Sequence, residues 1–206
     1  MIELNLEIDG KAKSYNIPAG WDEVTLGQAA DMNDLKDDDS TVIVQVVKLL
    51  KILAPDINED DIMMMSPEQF TQVTEALQFV SDEVEGELVE YVEIEGEKYY
   101  LKKDFEKLTM GEIISIDSIM KQTSNDITKA LPKVMCIFLR KKNDDGELES
   151  FRNSFMEREE AFRSIIITDV YKLFAFFLDG EDLSQNSTQE SSPRKKSPKS
   201  EIGSKS

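Results

Sequence analysis

Two stretches of this chain share one pattern, and that duplication limits what the chain can fold into. Trp21-Asp22-Glu23-Val24-Thr25-Leu26-Gly27-Gln28 is answered by Phe105-Glu106-Lys107-Leu108-Thr109-Met110-Gly111-Glu112. In both, an aromatic precedes a threonine by four residues, an aliphatic residue stands just before that threonine, and Gly and then Gln or Glu follow. Thr25 with Gln28, and Thr109 with Glu112, have the spacing of capping boxes. There the threonine oxygen accepts the amide three residues on, and the side chain at that position accepts from the threonine's own amide. Val24 with Ala29, and Leu108 with Ile113, take the places of a hydrophobic staple. Each stretch therefore predicts a helix start.

The likeness extends upstream. Leu6-Glu7-Ile8-Asp9-Gly10-Lys11 is matched by Val92-Glu93-Ile94-Glu95-Gly96-Glu97, and in each an alternating run meets an acidic-Gly turn and a second alternating run follows. Both read as β-hairpins. The glycines Gly10 and Gly96 lie 86 residues apart and the threonines 84 apart. The length difference falls around Pro18-Ala19-Gly20, where a loop absorbs it at little cost.

The rest of the chain reads as helices. Thr41 to Leu53 is nearly all Val, Ile and Leu, but Gln45, Lys48 and Lys51 recur at threes and leave one polar edge. That pattern predicts a buried, central helix. Ser66-Pro67-Glu68-Gln69 combines an N-cap, a proline at the first helical position and a capping-box glutamine. Phe70, Val73, Leu77 and Val80 are expected on one face of the helix it opens. In the second copy, Ile113, Ile116 and Met120 are helically spaced, and Asp126 to Arg140 answers the central helix, with Ala130, Leu131, Val134, Ile137 and Phe138 turned inward. Pro132 fits only if that helix begins near Leu131 and places it in the first turn. Asn143-Asp144-Asp145-Gly146 is a turn signal that either joins two strands or extends a loop. A final helix is expected over about Met156 to Leu178. The fold class is therefore α+β and mainly helical, with a hairpin-plus-helices module over 1–88 and its duplicate over 89–180. Residues 181–206 form a Ser/Pro/Lys tail, disordered by composition.

A chain of 206 residues carrying a formal charge of −18 is a strongly acidic protein. Such a charge repels nucleic acid and anionic membrane and favours a basic protein surface as partner. Cys136 is the sole cysteine, so no intrachain disulfide forms, and the composition suits a reducing compartment. No secretory pattern opens the chain, and the apolar stretch from Val42 to Leu53 is too short to span a bilayer.

Residues able to carry chemistry are few. Histidine is absent, which removes the commonest general base and metal ligand. Cys136 sits in an apolar helical run with no histidine to activate it, and reads as a buried structural thiol. The acidic runs Asp37 to Asp39, Glu59 to Asp61 and Asp144 to Glu149 lack the ligand spacing of a calcium loop and read as solvated loops. No phosphate-binding glycine loop is present. The basic stretch Ser192 to Lys199 is too short on so acidic a chain to make a nucleic-acid site. Met63, Met64 and Met65 form an adaptable apolar patch that either docks a partner or fills irregular core space. Trp21, like Phe105, is expected to pack its own hairpin against the capped helix. No catalytic residue, cofactor or metal site is predicted.

The hairpin around an acidic-Gly turn, the aromatic, and Val24-Thr25-Leu26-Gly27-Gln28 opening a helix resemble small assembly proteins of tailed bacteriophages, the tail-assembly chaperones and related virion accessory proteins. The resemblance covers Ile2 to about Leu53 and, through the duplication, Glu90 to Arg140. The complete second copy departs from the simplest single-module chaperones. The resemblance implies a non-enzymatic protein in the host cytoplasm or the virion that shields or positions a virion component, and the acidic charge makes a basic-surfaced phage structural protein the expected partner. The alternative reading is an acidic DNA mimic that blocks a host nucleic-acid-binding protein, which requires acids spaced like phosphates along one face. Thr25→Ala and Thr109→Ala should each destabilise the protein by roughly 0.5–2 kcal/mol through loss of a cap. Urea midpoints measured by circular dichroism test this, and two unchanged midpoints would refute the assigned helix starts.

Overall fold

Each half opens with an antiparallel hairpin. Strand β1 (Ile2–Ile8) pairs with β2 (Lys11–Ile17) in a register that sets Leu4 opposite Tyr15, Leu6 opposite Lys13 and Ile8 opposite Lys11. Leu4, Leu6 and Ile8 are buried while Glu3, Asn5 and Glu7 face water, the period-2 pattern of a half-buried strand. Strand β3 (Tyr91–Ile94) pairs with β4 (Glu97–Leu101). Between them Glu95 and Gly96 both have positive φ, 54° and 79°, as a type I′ turn requires. The structure, a computed structural model, describes residues 1–171 other than 9, 37, 87–88 and 103–106. Phe105, the tail 181–206 and the last part of the expected final helix lie outside the described residues.

After the first hairpin come α1 (Leu26–Asn33), α2 (Val42–Leu53), the short α3 (Glu59–Met63) and α4 (Pro67–Ala76). After the second come α5 (Met110–Gln122), α6 (Ile127–Phe138), the two-residue strand β5 (Leu139–Arg140) and α7 (Glu159–Phe162). Strand β5 joins β4 to make a three-stranded sheet, with Tyr100 opposite Arg140. The protein is thus α+β, and hairpin, capped helix and apolar helix follow one another in both halves.

The core is built on α6 rather than α2. Every residue of α6 from Ala130 to Phe138 except Lys133 is buried, and α1, α5 and α7 all pack on it. By contrast α2 buries only Leu50 and Leu53, and its first turn lies open, with Val42 73%, Ile43 63% and Val44 41% exposed. Periodicity gives the width of an apolar face but does not say which side a neighbour covers. Helix α5 departs from expectation in the same way: Ile113 is exposed, and only Glu112 and Ile119 are buried.

Three further expectations are corrected. Pro132 lies in the interior of α6, because Asp126 caps the helix earlier by accepting from the Lys129 amide at 3.2 Å. Burial along α6 compensates for the amide that proline lacks. The acidic run at Asn58 carries a short helix, since Asn58 caps it through the Asp60 amide. The final helix is interrupted: a 3₁₀ turn (Asn153–Arg158) leads into α7, and the chain turns at 163–165 before resuming helix at Ile167. At the signal Asn143 to Gly146 the chain turns with Gly146 at φ 81°, and Lys142 bridges Leu148.

The break has a physical cause in α1. Its first four amides are all taken: Thr25 N donates to Gln28 Oε1 at 3.0 Å and Gln28 N to Thr25 Oγ1 at 3.2 Å, while Leu26 N donates to Ile165 O at 2.8 Å and Gly27 N to Arg163 O at 2.9 Å. These are the groups a helix start leaves unpaired, and two are met by chain from the other half. Ile167 N donates back to Val24 O at 2.9 Å, and Arg163 holds Asp31 at 2.7 Å. Backbone approach is close here. A Cβ on Gly27 would lie 3.0 Å from Arg163 Cβ, and one on Gly86 would lie 2.1 Å from Thr168 O. At Gly111, the counterpart of Gly27, nothing comes nearer than 3.9 Å. Gly86→Ala should therefore destabilise by about 1–3 kcal/mol, as overpacking does. Gly111→Ala should be neutral or slightly stabilising, since alanine is the better helix former. Denaturant midpoints of the two variants provide the comparison.

Candidate functional site

Two places gather enough unusual side chains to be weighed as sites: a buried ionic cluster at the start of α5 and an apolar groove beside α2. The cluster centres on Glu112, which is fully buried. Its carboxylate accepts from Lys102 Nζ at 2.8 and 2.9 Å, from the Thr109 amide at 2.5 Å and from Arg140 Nη2. Arg140 in turn donates to Ile137 O, through Nε and Nη2 at 2.9 Å each, and to Glu149 O at 3.3 Å. Burial pushes the Glu112 carboxyl up, but Lys102, the Thr109 amide and hydroxyl, and Arg140 outweigh it and hold the pKa at about 2.

The matching place in the first half identifies what this cluster does. There Gln28 closes the cap of α1 and also donates through Nε2 to Ile52 O at 3.2 Å and Leu53 O at 3.4 Å, the last carbonyls of α2. Both halves thus tie a capped helix start to the end of the following helix. A glutamine does this alone because it both accepts and donates. A glutamate only accepts, so Arg140 is interposed between Glu112 and Ile137 O. All named groups of the cluster are engaged in holding helices together.

The other chemistry-bearing residues are engaged as well. Cys136 is fully buried, its Sγ donates to Pro132 O at 3.5 Å, and burial pushes its thiol up to about 12. Such a thiol is not a nucleophile at neutral pH. In the acidic runs, Asp38 holds Lys48 at 2.6 Å, Glu59 holds Lys51 at 2.7 Å and Glu149 holds Arg158 at 2.7 Å. Asp61, itself buried, takes Lys13 at 2.6 Å and the hydroxyl of Tyr15, which hold its carboxyl below the usual range. Among the described residues no three acidic or cysteine side chains come together to hold a metal ion.

The groove has a volume of about 520 Å³. One wall is α2, whose Val42, Gln45, Val46 and Leu49 line it at the i, i+3, i+4, i+7 spacing of one helical stripe. The rest of the lining includes Ala29 and Met32 of α1, Leu131 of α6, and Val80, Val84, Ile167 and Tyr171. Trp21 also lines it. The indole, half-buried, meets Phe79 edge-on at 5.8 Å and donates to Asp82 O at 3.0 Å. It is therefore turned toward Phe79 and Asp82 in the connection between the halves. Two polar side chains on the wall each commit one N–H inside the chain, Asn33 to Asp126 and Gln45 to Asp38 O at 2.7 Å. The groove thus presents mainly hydrocarbon.

The residues singled out from the sequence fall elsewhere. Thr25 with Gln28, Ser66 with Gln69 and Thr109 with Glu112 form reciprocal capping boxes at the starts of α1, α4 and α5. Met63 and Met64 are exposed at the end of α3 and Met65 is half-buried, and none of the three lines the groove. The groove itself had one sequence signal, the unrelieved Val42-Ile43-Val44 at a helix start. No described helix is long and apolar enough to cross a membrane. Comparisons with protein-family models, with curated proteins and with solved structures find no match to this chain.

The ionic cluster generates a pH prediction. Because the folded pKa of Glu112 lies near 2, below the unfolded carboxylate range near 4.5, its contribution is complete above that range and is lost as pH falls towards 2. Glu112→Gln should cost a few kcal/mol at neutral pH, where Arg140 and Lys102 lose a buried counter-charge. The stability gap between wild type and variant should then close as pH falls from about 4.5 to about 2. Urea titrations of both proteins across that range test it, and a pH-independent gap would overturn the ionic account.

Proposed function

We propose that this is a non-enzymatic assembly or virion accessory protein of a tailed bacteriophage, which binds a basic-surfaced structural protein and positions or shields it. The observation that carries the reading is the apolar groove beside an exposed first turn of α2, on a chain of net charge −18. Exposed aliphatic surface of this kind is costly in water and is the ordinary mark of a contact surface. The acidic charge supplies long-range attraction for a basic partner. The likeness of the hairpin and the Val24 to Gln28 helix start to phage assembly proteins supports the same reading. So does the engagement of Cys136, Glu112 and the acidic runs in structural bonds.

Co-expression of the full chain with individual virion proteins, followed by affinity purification and kinetic measurement on the purified pair, tests the proposal. A basic structural protein should co-purify, with an association rate that falls as salt is raised from low to moderate concentration. A parallel screen for hydrolase and transferase activity should find no turnover. Turnover with no protein partner recovered would sink the reading.

A further inference from the structure

The groove also indicates the kind of segment that enters it. Resting on the reading of this chain as a protein-binding protein, we infer that the groove receives one amphipathic helix of the partner, apolar on the inserted face and rich in lysine or arginine on its flanks. Three observations carry this. The wall of α2 is itself a helical stripe, and a second helix laid along such a stripe inserts its own i, i+3, i+4 and i+7 side chains. The wall amides of Asn33 and Gln45 are already bonded within the chain. A small polar ligand would need such groups to fix its orientation, whereas a helix satisfies its own backbone.

The third observation is charge. Chain segments that supply lining residues carry exposed acids, Asp39 just before Val42 and Asp82, Glu83 and Glu85 around Val84. Nearby, Lys48 and Lys129 are held by Asp38 and Asp34 at 2.6 and 2.5 Å, and Lys36 is the cation on the groove wall. The acids outnumber the bases around an apolar floor, so positive flanks complement the rim and negative flanks are repelled.

The chain supplies its own reporter, since Trp21 is its only tryptophan and lines the groove. Tryptophan-free synthetic helices of about four turns serve as probes: one with a leucine stripe and lysine flanks, one with the same stripe and glutamate flanks, and one with the lysine composition in scrambled order. The full-length protein should show a saturable change in Trp21 emission with the first. Binding should be at least about tenfold weaker for the glutamate helix and absent for the scrambled one. Val42→Asp, at an exposed position on the groove wall, should weaken the lysine helix by about tenfold or more. Met110→Asp, at an exposed position of α5 outside the groove, should leave it unchanged, and circular dichroism should show both variants folded.

Equal binding of the ordered and scrambled lysine peptides, or undiminished binding by Val42→Asp, would reduce the contact to charge alone and overturn the inference. Emission changes with an apolar small molecule but with no helix would overturn it too. The broader proposal is judged separately: a virion protein that co-purifies equally with wild type and Val42→Asp leaves the binding function standing and removes the groove as its seat.

Discussion

A helix start leaves four amides without partners, and α1 satisfies all four without water. The cap at Thr25 and Gln28 closes two of them locally, and the carbonyls of Arg163 and Ile165 take the others. Much follows from this demand. It fixes a strand-like stretch of the second half across the first helix, sets glycine at 27 and 86 where chains nearly touch, and interrupts what would otherwise be one long final helix. It also carries Ile167 and Tyr171 to the groove, which they line. The shared core is less a docking of two finished modules than the result of one half completing the hydrogen bonds of the other.

The two halves show how a repeated connection tolerates a change of chemistry. Gln28 joins a cap to the carbonyls of Ile52 and Leu53 by itself, while Glu112 reaches Ile137 O only through Arg140 and draws in Lys102. The neutral version involves no buried charge. The ionic version carries the desolvation of three charged groups and is tolerable only because each has several partners. A strained or half-bonded cluster at such a place would suggest catalysis. This one is explained by architecture.

Local signals were legible in the sequence wherever a backbone group needed a particular partner. The acidic-Gly turns require positive φ, and the threonines and Ser66 cap helices through bonds made within three residues, so hairpins and helix starts could be placed by inspection. What could not be read was which apolar face is covered. Val42 to Leu53 and Ala130 to Phe138 look alike as strings, yet α2 is half open and α6 is enclosed, because coverage depends on distant chain. The same holds for Trp21, whose partners Phe79 and Asp82 lie some 60 residues away. Pro132 misled for the opposite reason: a strong local rule yielded to an earlier cap and to burial on every side.

The crossing of 163–167 over α1 has a temporal consequence. Synthesis runs from the N-terminus, so the first hairpin and first four helices emerge while the carbonyls that finish α1, at Arg163 and Ile165, still lie 87 residues or more downstream of Ala76, the end of α4. During that interval Leu26 and Gly27 expose their amides, and Ala29, Met32 and the valines of α2 face whatever is nearby. The nascent N-terminal half thus exposes apolar surface in the very region that later becomes the groove, until the chain around Arg163 and Ile165 closes α1.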